Sequence, residues 1–260
     1  MLLNEIIVKY PFITLVNEPF MKLFGREKEL KLIKETFYKK RMKNIILVGD
    51  AGSGKTAIIE QFSKDNSYNY SILSLDMASC VANTKFRGEF EGKLTSLFKD
   101  VYEYNLNNDY KPIVLFIDEI HLIMNCGSSE GGMSAANILK PYLSNRVITI
   151  IGATTKKEYA NTISKDLAMV RRLSPVFISN LDKDVIIKIL NKFSNGRLDN
   201  DILDYIYNSS LKLRGTNPDI SLEITDRALA RKKCTKSIID KSMIDEITNY
   251  MIESENELNT

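Results

Sequence analysis

The run Gly49-Asp50-Ala51-Gly52-Ser53-Gly54-Lys55-Thr56 has the spacing G-x-x-x-x-G-K-[ST]. Glycines at these positions let the backbone wrap closely, so that its N–H groups can face phosphate oxygens. A helix starting at Lys55 would add the favourable end of its dipole. In such a loop Lys55 reaches the β- and γ-phosphates of a nucleotide, and the Thr56 hydroxyl ligates Mg²⁺. The context agrees: the apolar, strand-like Ile45-Ile46-Leu47-Val48 precedes the loop, and a helical pattern follows it.

A second constellation lies downstream. Ile113-Val114-Leu115-Phe116-Ile117 is an apolar strand that ends in Asp118-Glu119. Alone, such a pair reads as a helix N-cap with a first-turn acid. After a phosphate loop and intervening crossovers it reads as a Walker B arrangement. Asp118 then holds Mg²⁺, directly or through water. Glu119 polarises the attacking water as a general base. His121, the sole histidine, reads as a local hydrogen-bonding residue rather than a catalyst.

These residues need a scaffold that brings strand ends together. Residues 26–40 are helical, with Leu30, Ile33 and Phe37 on one face. Strands are predicted at 45–48, 71–76, 113–117, 147–151 and 176–178. Helices are predicted at 55–63 and around Phe90, Leu94, Leu97, Phe98 and Val101. This alternation argues for a parallel sheet with crossover helices. After residue 180 the pattern turns helical: Asp182 can cap a helix carrying Val185, Ile186, Ile189, Leu190 and Phe193 on one side. Further helical stretches end with Ile244, Ile247 and Met251, and the polar tail 253–260 is expected to fray. A domain boundary is expected near 180.

Composition narrows the classes. The chain has 260 residues, 44% hydrophobic and 27% charged, ordinary for a globular protein. Its net charge of +3 comes from 36 basic and 33 acidic residues that are interleaved rather than blocked, which argues against nucleic acid as a partner. No apolar run reaches the roughly 18 residues of a membrane span, and the N-terminus shows no secretory signal. Three scattered cysteines and one histidine fit neither a structural zinc cluster nor a Cys/His catalytic pair. They read as reduced thiols.

The ordered motifs resemble those of the first AAA+ module of the Clp-type hexameric protein unfoldases and disaggregases, the heat-shock Clp ATPases. The resemblance runs from about residue 23 to at least 183, with a weaker match at 218–228. Phe24-Gly25-Arg26-Glu27 resembles the segment that frames adenine. The phosphate loop and Asp118-Glu119 match. Ser74-Leu75-Asp76-Met77, then Thr84-Lys85-Phe86-Arg87-Gly88-Glu89-Phe90-Glu91, resembles the pore loop that grips substrate. Gly132-Met133 and Ala136-Asn137-Ile138-Leu139-Lys140-Pro141 look like the stretch after the second pore loop. Gly152-Ala153-Thr154-Thr155 looks like the sensor-1 strand end. Lys165-Asp166 with Arg171-Arg172 looks like the arginine-finger helix.

The resemblance implies an α/β fold: a P-loop AAA+ five-stranded parallel sheet with helices on both faces in 1–180, and a small all-helical lid domain in 181–260. It implies ATP and Mg²⁺ as cofactors, and ATP hydrolysis as the activity. Phe24, Gly25, Pro218 and Asp219 join residues 49–56 around the nucleotide. Thr155 senses the γ-phosphate. Arg171 and Arg172 reach the neighbouring subunit's nucleotide. Lys85, Phe86 and Arg87 line a pore through which polypeptide is threaded. The implied partners are protein substrates, other Clp ATPase subunits in a homo- or hetero-hexamer, and a Clp peptidase. The implied setting is a bacterial or phage-host cytoplasm or an organelle stroma such as a plastid.

The sequence also departs from the family. The acid before the arginine fingers is Val170, an Asp near the second pore loop is Ser134, and the pore aromatic is Phe86 rather than Tyr. No N-terminal docking domain, second AAA+ module, coiled-coil insertion or peptidase-docking loop is seen. Two other readings therefore stand beside the motor: a nucleotide-binding, weakly hydrolysing structural subunit, and a nucleic-acid-acting AAA+ protein, which the near-neutral charge disfavours.

Overall fold

The computed structural model describes residues 2–82, 87–108, 110–125 and 135–257. Thr84, Lys85, Phe86, Cys126 and 132–134 lie outside the described residues, as does the side chain of Arg87. Contacts gather the chain into two units. One comprises Met1–Pro19, Lys28–Gly49 and Lys55–Ile178; the other comprises Phe20–Glu27, Asp50–Gly54 and Ser179–Thr260.

The first unit is built on one sheet. Its strands are β1 (Ile13–Leu15), β2 (Ile45–Val48), β3 (Ser71–Leu75), β4 (Ile113–Ile117), β5 (Thr149–Thr154) and β6 (Ser174–Phe177), in the order β1-β3-β4-β5-β2-β6. Strands β2 and β4 are buried along their whole length, as continuous apolar runs in a covered parallel sheet must be. The five parallel strands are those the sequence implies. The sixth, β1, adds to β3 in antiparallel sense. It has only three residues, two of them exposed, too few to show a period.

Strand β5 starts two residues later than predicted and runs three further, through Gly152-Ala153-Thr154. Gly152 is small because a Cβ there would stand 2.7 Å from Ile120 Cδ1. The shift matters for function. It sets Thr154 opposite Val48, and Gly152 opposite Ile117. The C-terminal ends of β4, β5 and β2 therefore lie side by side, the usual place for a ligand in an open α/β sheet.

Two buried asparagines fasten the other end of the sheet. Asn105 Nδ2 donates to the Ile113 and Val147 carbonyls, each at 2.9 Å, while its Oδ1 accepts from Ile113 N at 2.7 Å. Asn44 Oδ1 accepts from Ile150 N at 2.9 Å, and its Nδ2 donates to Leu143 O at 2.8 Å.

In the second unit, residues 179–257 fold into helices joined by short loops. Lys183–Phe193, Asn200–Ser210, Asp219–Thr235 and Lys241–Glu257 enclose a core that includes Ile186, Leu190, Leu203, Ile206, Ile224, Ile244 and Ile247.

Candidate nucleotide site

In the first unit, the helix Lys55–Asp65 begins at the lysine of the phosphate motif. Lys55 is buried, and its Nζ donates to Gly49 O at 3.0 Å. Gly49 N donates to Thr154 O at 3.2 Å, which ties the start of the loop to the end of β5. Thr56 Oγ1 lies 3.4 Å from Asp118 Oδ2. A hydroxyl beside a carboxylate at the mouth of a phosphate loop is a hard-oxygen donor set, which suits Mg²⁺. Asp118 Oδ1 also accepts the Glu119 N–H at 2.9 Å.

Glu119 departs from ordinary backbone geometry. Its φ is +50°, in the left-handed region that costs a side-chain-bearing residue roughly 1 kcal/mol or more. Such strain persists where neighbours over-determine it, as at functional sites. Here Ile120 N donates to Ala153 O and Leu122 N to Glu119 O, which fixes the turn on both sides. Burial raises the Glu119 pKa above the ordinary carboxylate value. The carboxylates of Asp118 and Glu158 add to the rise, while His121 and Lys55 oppose it.

The expectation for Thr155 meets a different geometry. Thr155 is the N-cap of the helix Lys156–Asn161; its hydroxyl accepts from Glu158 N at 3.2 Å and donates to Glu158 Oε2 at 2.6 Å. A hydroxyl so engaged is not turned toward a phosphate. Glu158 is a residue the sequence reading missed. Its Oε1 lies 3.2 Å from His121 Nε2, and His121 Nδ1 lies 3.2 Å from Glu119 Oε2.

Arg171 and Arg172 also differ from each other. Arg171 is exposed and makes no side-chain hydrogen bond or ion pair among the described residues. Arg172 is half-buried and tied back, with its guanidinium donating to Ser144 Oγ and to Ala168 O. Both line a 700 Å³ cavity together with Arg41 and Arg146, and no acidic residue is among the described residues that line it.

In the second unit, Gly52 and Gly54 have φ of +74° and +88°, values glycine adopts freely. A Cβ on Gly52 would stand 2.7 Å from Asp219 Cβ. Thus Asp219, at the start of the helix Asp219–Thr235 and just after Pro218, lies against the phosphate loop. Gly25, at φ +67°, is pressed against Val185 and Leu181. Phe24 lines a 460 Å³ cavity with Lys188, Asn191 and Lys192.

Arg26 is the second residue missed as a functional position. It is 2% exposed and donates to Ser53 O at 2.8 Å and to Ser179 O at 2.7 Å. The signal was its place beside the adenine-framing segment, but its partners are distant in sequence.

Two buried side-chain polar atoms lack a hydrogen-bond partner among the described residues: Ser53 Oγ in the phosphate loop and Glu119 Oε2 at the acidic pair. Buried polar atoms are nearly always satisfied. Within each unit, the orphan lies in a motif suited to receiving polar ligand atoms.

The comparisons with known proteins agree. A family comparison matches residues 45–181 to the ATPase family associated with various cellular activities (AAA). The chain is 38% identical over 229 residues to chaperone protein ClpB of Aquifex aeolicus, covering 81% of this chain and 22% of that protein. It is 39% identical over 177 residues to heat shock protein hsp98 of Neurospora crassa, covering 65% of this chain and 19% of that protein.

Among solved structures, the S. cerevisiae Hsp104–ADP complex gives a TM-score of 0.74 at 30% identity, covering 88% of this chain and 42% of that one. Closed-state Hsp104 with ATPγS and FITC casein gives 0.76 at 28% identity, covering 97% and 48%. The chain spans about a fifth of the length of these curated relatives. The enzyme class implied by the sequence, an ATPase of the AAA+ type, is the class of the matched family. This chain belongs to the AAA family of ATPases, and its relatives are of the Clp disaggregase type.

Proposed function

We propose that the chain is an ATP-dependent chaperone motor that couples Mg-ATP hydrolysis to threading of polypeptide through a hexameric pore. The observation that carries it is the pair of orphaned buried oxygens, Ser53 Oγ and Glu119 Oε2, in the two motifs expected to hold nucleotide and water. The relatives named as ClpB and Hsp104 support the chaperone reading.

In this reading residues 1–180 form the nucleotide-binding domain and 181–260 a helical lid. Residues 49–54 wrap the phosphates with backbone N–H groups, and Lys55 places its charge on them. Thr56 and Asp118 hold Mg²⁺. When bound, Mg-ATP supplies the transferable γ-phosphoryl group, its charge neutralised by the metal. Glu119 accepts the proton of the attacking water. Phe24, Gly25, Pro218 and Asp219 complete the nucleotide pocket. Arg171, exposed and uncommitted, serves a neighbour's nucleotide. Arg172 first has to leave Ser144. Thr155 acts through Glu158 rather than by touching phosphate. Lys85, Phe86 and Arg87 grip the translocating chain, with the Phe86 ring contacting many side-chain types.

Assembly is a homo- or hetero-hexamer. A Clp peptidase is not part of this proposal, since the relatives are named chaperones rather than protease components. The described residues contain no helix long and apolar enough to cross a membrane, and the compartment proposed is a bacterial-type cytoplasm.

One observation favours the weakly hydrolysing subunit: the tethered guanidinium of Arg172. ATPase rate against protein concentration, with sedimentation alongside, separates the two. A per-subunit rate that rises with assembly and vanishes in Glu119→Gln supports the motor. Flat, negligible turnover with retained ATP binding supports the structural subunit. Loss of translocation, but not of ATP turnover, in Phe86→Ala assigns the pore loop.

A further inference from the structure

His121 starts the short helix His121–Asn125 directly after the acidic pair, and it is 7% exposed. Its two ring nitrogens face two different carboxylates. Nε2 lies 3.2 Å from Glu158 Oε1, and Nδ1 lies 3.2 Å from Glu119 Oε2. Thr154 Oγ1 is 3.3 Å from the same Nδ1.

The Glu158 carboxylate is not free to wander. Its Oε2 accepts from Thr155 N at 3.0 Å and from Thr155 Oγ1 at 2.6 Å, and lies 3.3 Å from Thr154 Oγ1. Those donors hold one oxygen and leave the other directed at the imidazole. With Glu158 beside Nε2 and Thr154 Oγ1 beside Nδ1, the buried ring has a polar neighbour at each nitrogen, and these restrict its rotation.

Glu119 has the opposite character. It sits at a strained φ, and its enclosed Oε2 has no hydrogen bond of good geometry. The imidazole is therefore the rigid body against which this carboxylate rests. The same Thr154 whose hydroxyl faces His121 accepts the Gly49 N–H through its carbonyl. His121, which stands beside the base, and the first residue of the phosphate loop thus both contact one residue of β5.

We propose that His121, clamped by Glu158, is a positioning residue that holds the Glu119 carboxylate and links it through Thr154 to the phosphate loop. The inference rests on Glu119 acting as the general base. It departs from the sequence reading, in which His121 only made local hydrogen bonds. It requires no charge change on the imidazole: a buried ring flanked at both nitrogens restricts the Glu119 rotamers by contact alone. Misplacing a general base by about 1 Å costs up to roughly a hundredfold in rate without weakening nucleotide binding.

The test uses His121→Ala, His121→Asn, Glu158→Gln and Glu119→Gln. Because His121 is the sole histidine, its imidazole gives an unambiguous ¹⁵N spectrum. Four results are expected. The ring nitrogens of the wild type show one hydrogen-bonded state, and Glu158→Gln changes it. His121→Ala and Glu158→Gln lower kcat by at least about tenfold with KM for ATP and fluorescent-ATP affinity unchanged. His121→Asn, whose amide reaches the Nδ1 position, recovers part of the loss. Adding His121→Ala to Glu119→Gln costs nothing further.

Wild-type kcat in His121→Ala, alongside a dead Glu119→Gln, would overturn the clamp while leaving the base assigned. Turnover surviving in Glu119→Gln would instead overturn the general-base reading, and with it the catalytic reason for the clamp. An equal fall in affinity and kcat would show a merely structural histidine.

Discussion

Asp219 lies so close to Gly52 that a single added carbon on the glycine would stand 2.7 Å from the aspartate Cβ. An acid of the C-terminal helices thus touches the crown of the phosphate loop. Only the absence of a side chain at Gly52, together with its φ of +74°, allows the contact.

Gly52→Ala should therefore lower ATP affinity by about tenfold or more, since the loop must both strain and shift. Titration with a fluorescent ATP analogue reads this directly. The melting temperature should fall only slightly, because the buried core is untouched.

Arg26→Lys tests the missed arginine. A guanidinium spans the Ser53 and Ser179 carbonyls, whereas the compact ammonium of lysine cannot hold both in the same fork. The expected outcome is a fall in nucleotide affinity by about tenfold, with the far-ultraviolet circular dichroism unchanged.

Asn105→Leu probes the peg under β4. The change removes the partners of Ile113 N, Ile113 O and Val147 O in a buried place. It should cost about 2–3 kcal/mol, read as a lower urea midpoint with an unchanged slope.

Lys9 and Tyr10, paired with Asp100, give a pH signature. Tyr10 Oη and Lys9 Nζ both donate to Asp100 Oδ2 at 2.6 Å. Burial pushes the Asp100 carboxyl up, but these donors outweigh it and hold the pKa below the ordinary value. Burial and then Asp100 push Tyr10 up to about 12.

A depressed acid contributes stability that is complete above its unfolded value of about 3.9 and is lost as pH falls through the folded one. A raised tyrosine contributes stability that is complete below about 10 and is lost as pH rises toward 12. Asp100→Asn should flatten the acid limb of the melting-temperature profile, and Tyr10→Phe the alkaline limb.

Much of this was legible in the sequence, for identifiable reasons. The phosphate loop and Asp118-Glu119 are local spacings, and β2 and β4 are apolar runs that nothing else explains. Strand β1 escaped because three residues carry no period. The end of β5 escaped because Gly152-Ala153 has weak strand preference and is fixed by contact with Ile120. Arg26 and Glu158 escaped because their meaning lies in partners that only folding brings near. Thr155 was read from its place in a motif, but its hydroxyl caps a helix.

Strand β6 has a further consequence for how copies of this chain can meet. Ser174 N and Ile178 N donate to the β2 side, so the alternate residues Pro175 and Phe177 turn their nitrogens outward. Proline has no N–H to offer, which leaves Phe177 as the single outward donor along β6. A strand laid against this margin would find its hydrogen-bond ladder broken at every attempted register. Growth by edge-to-edge β pairing at this margin, the route to open-ended fibrils, is interrupted by one imino acid.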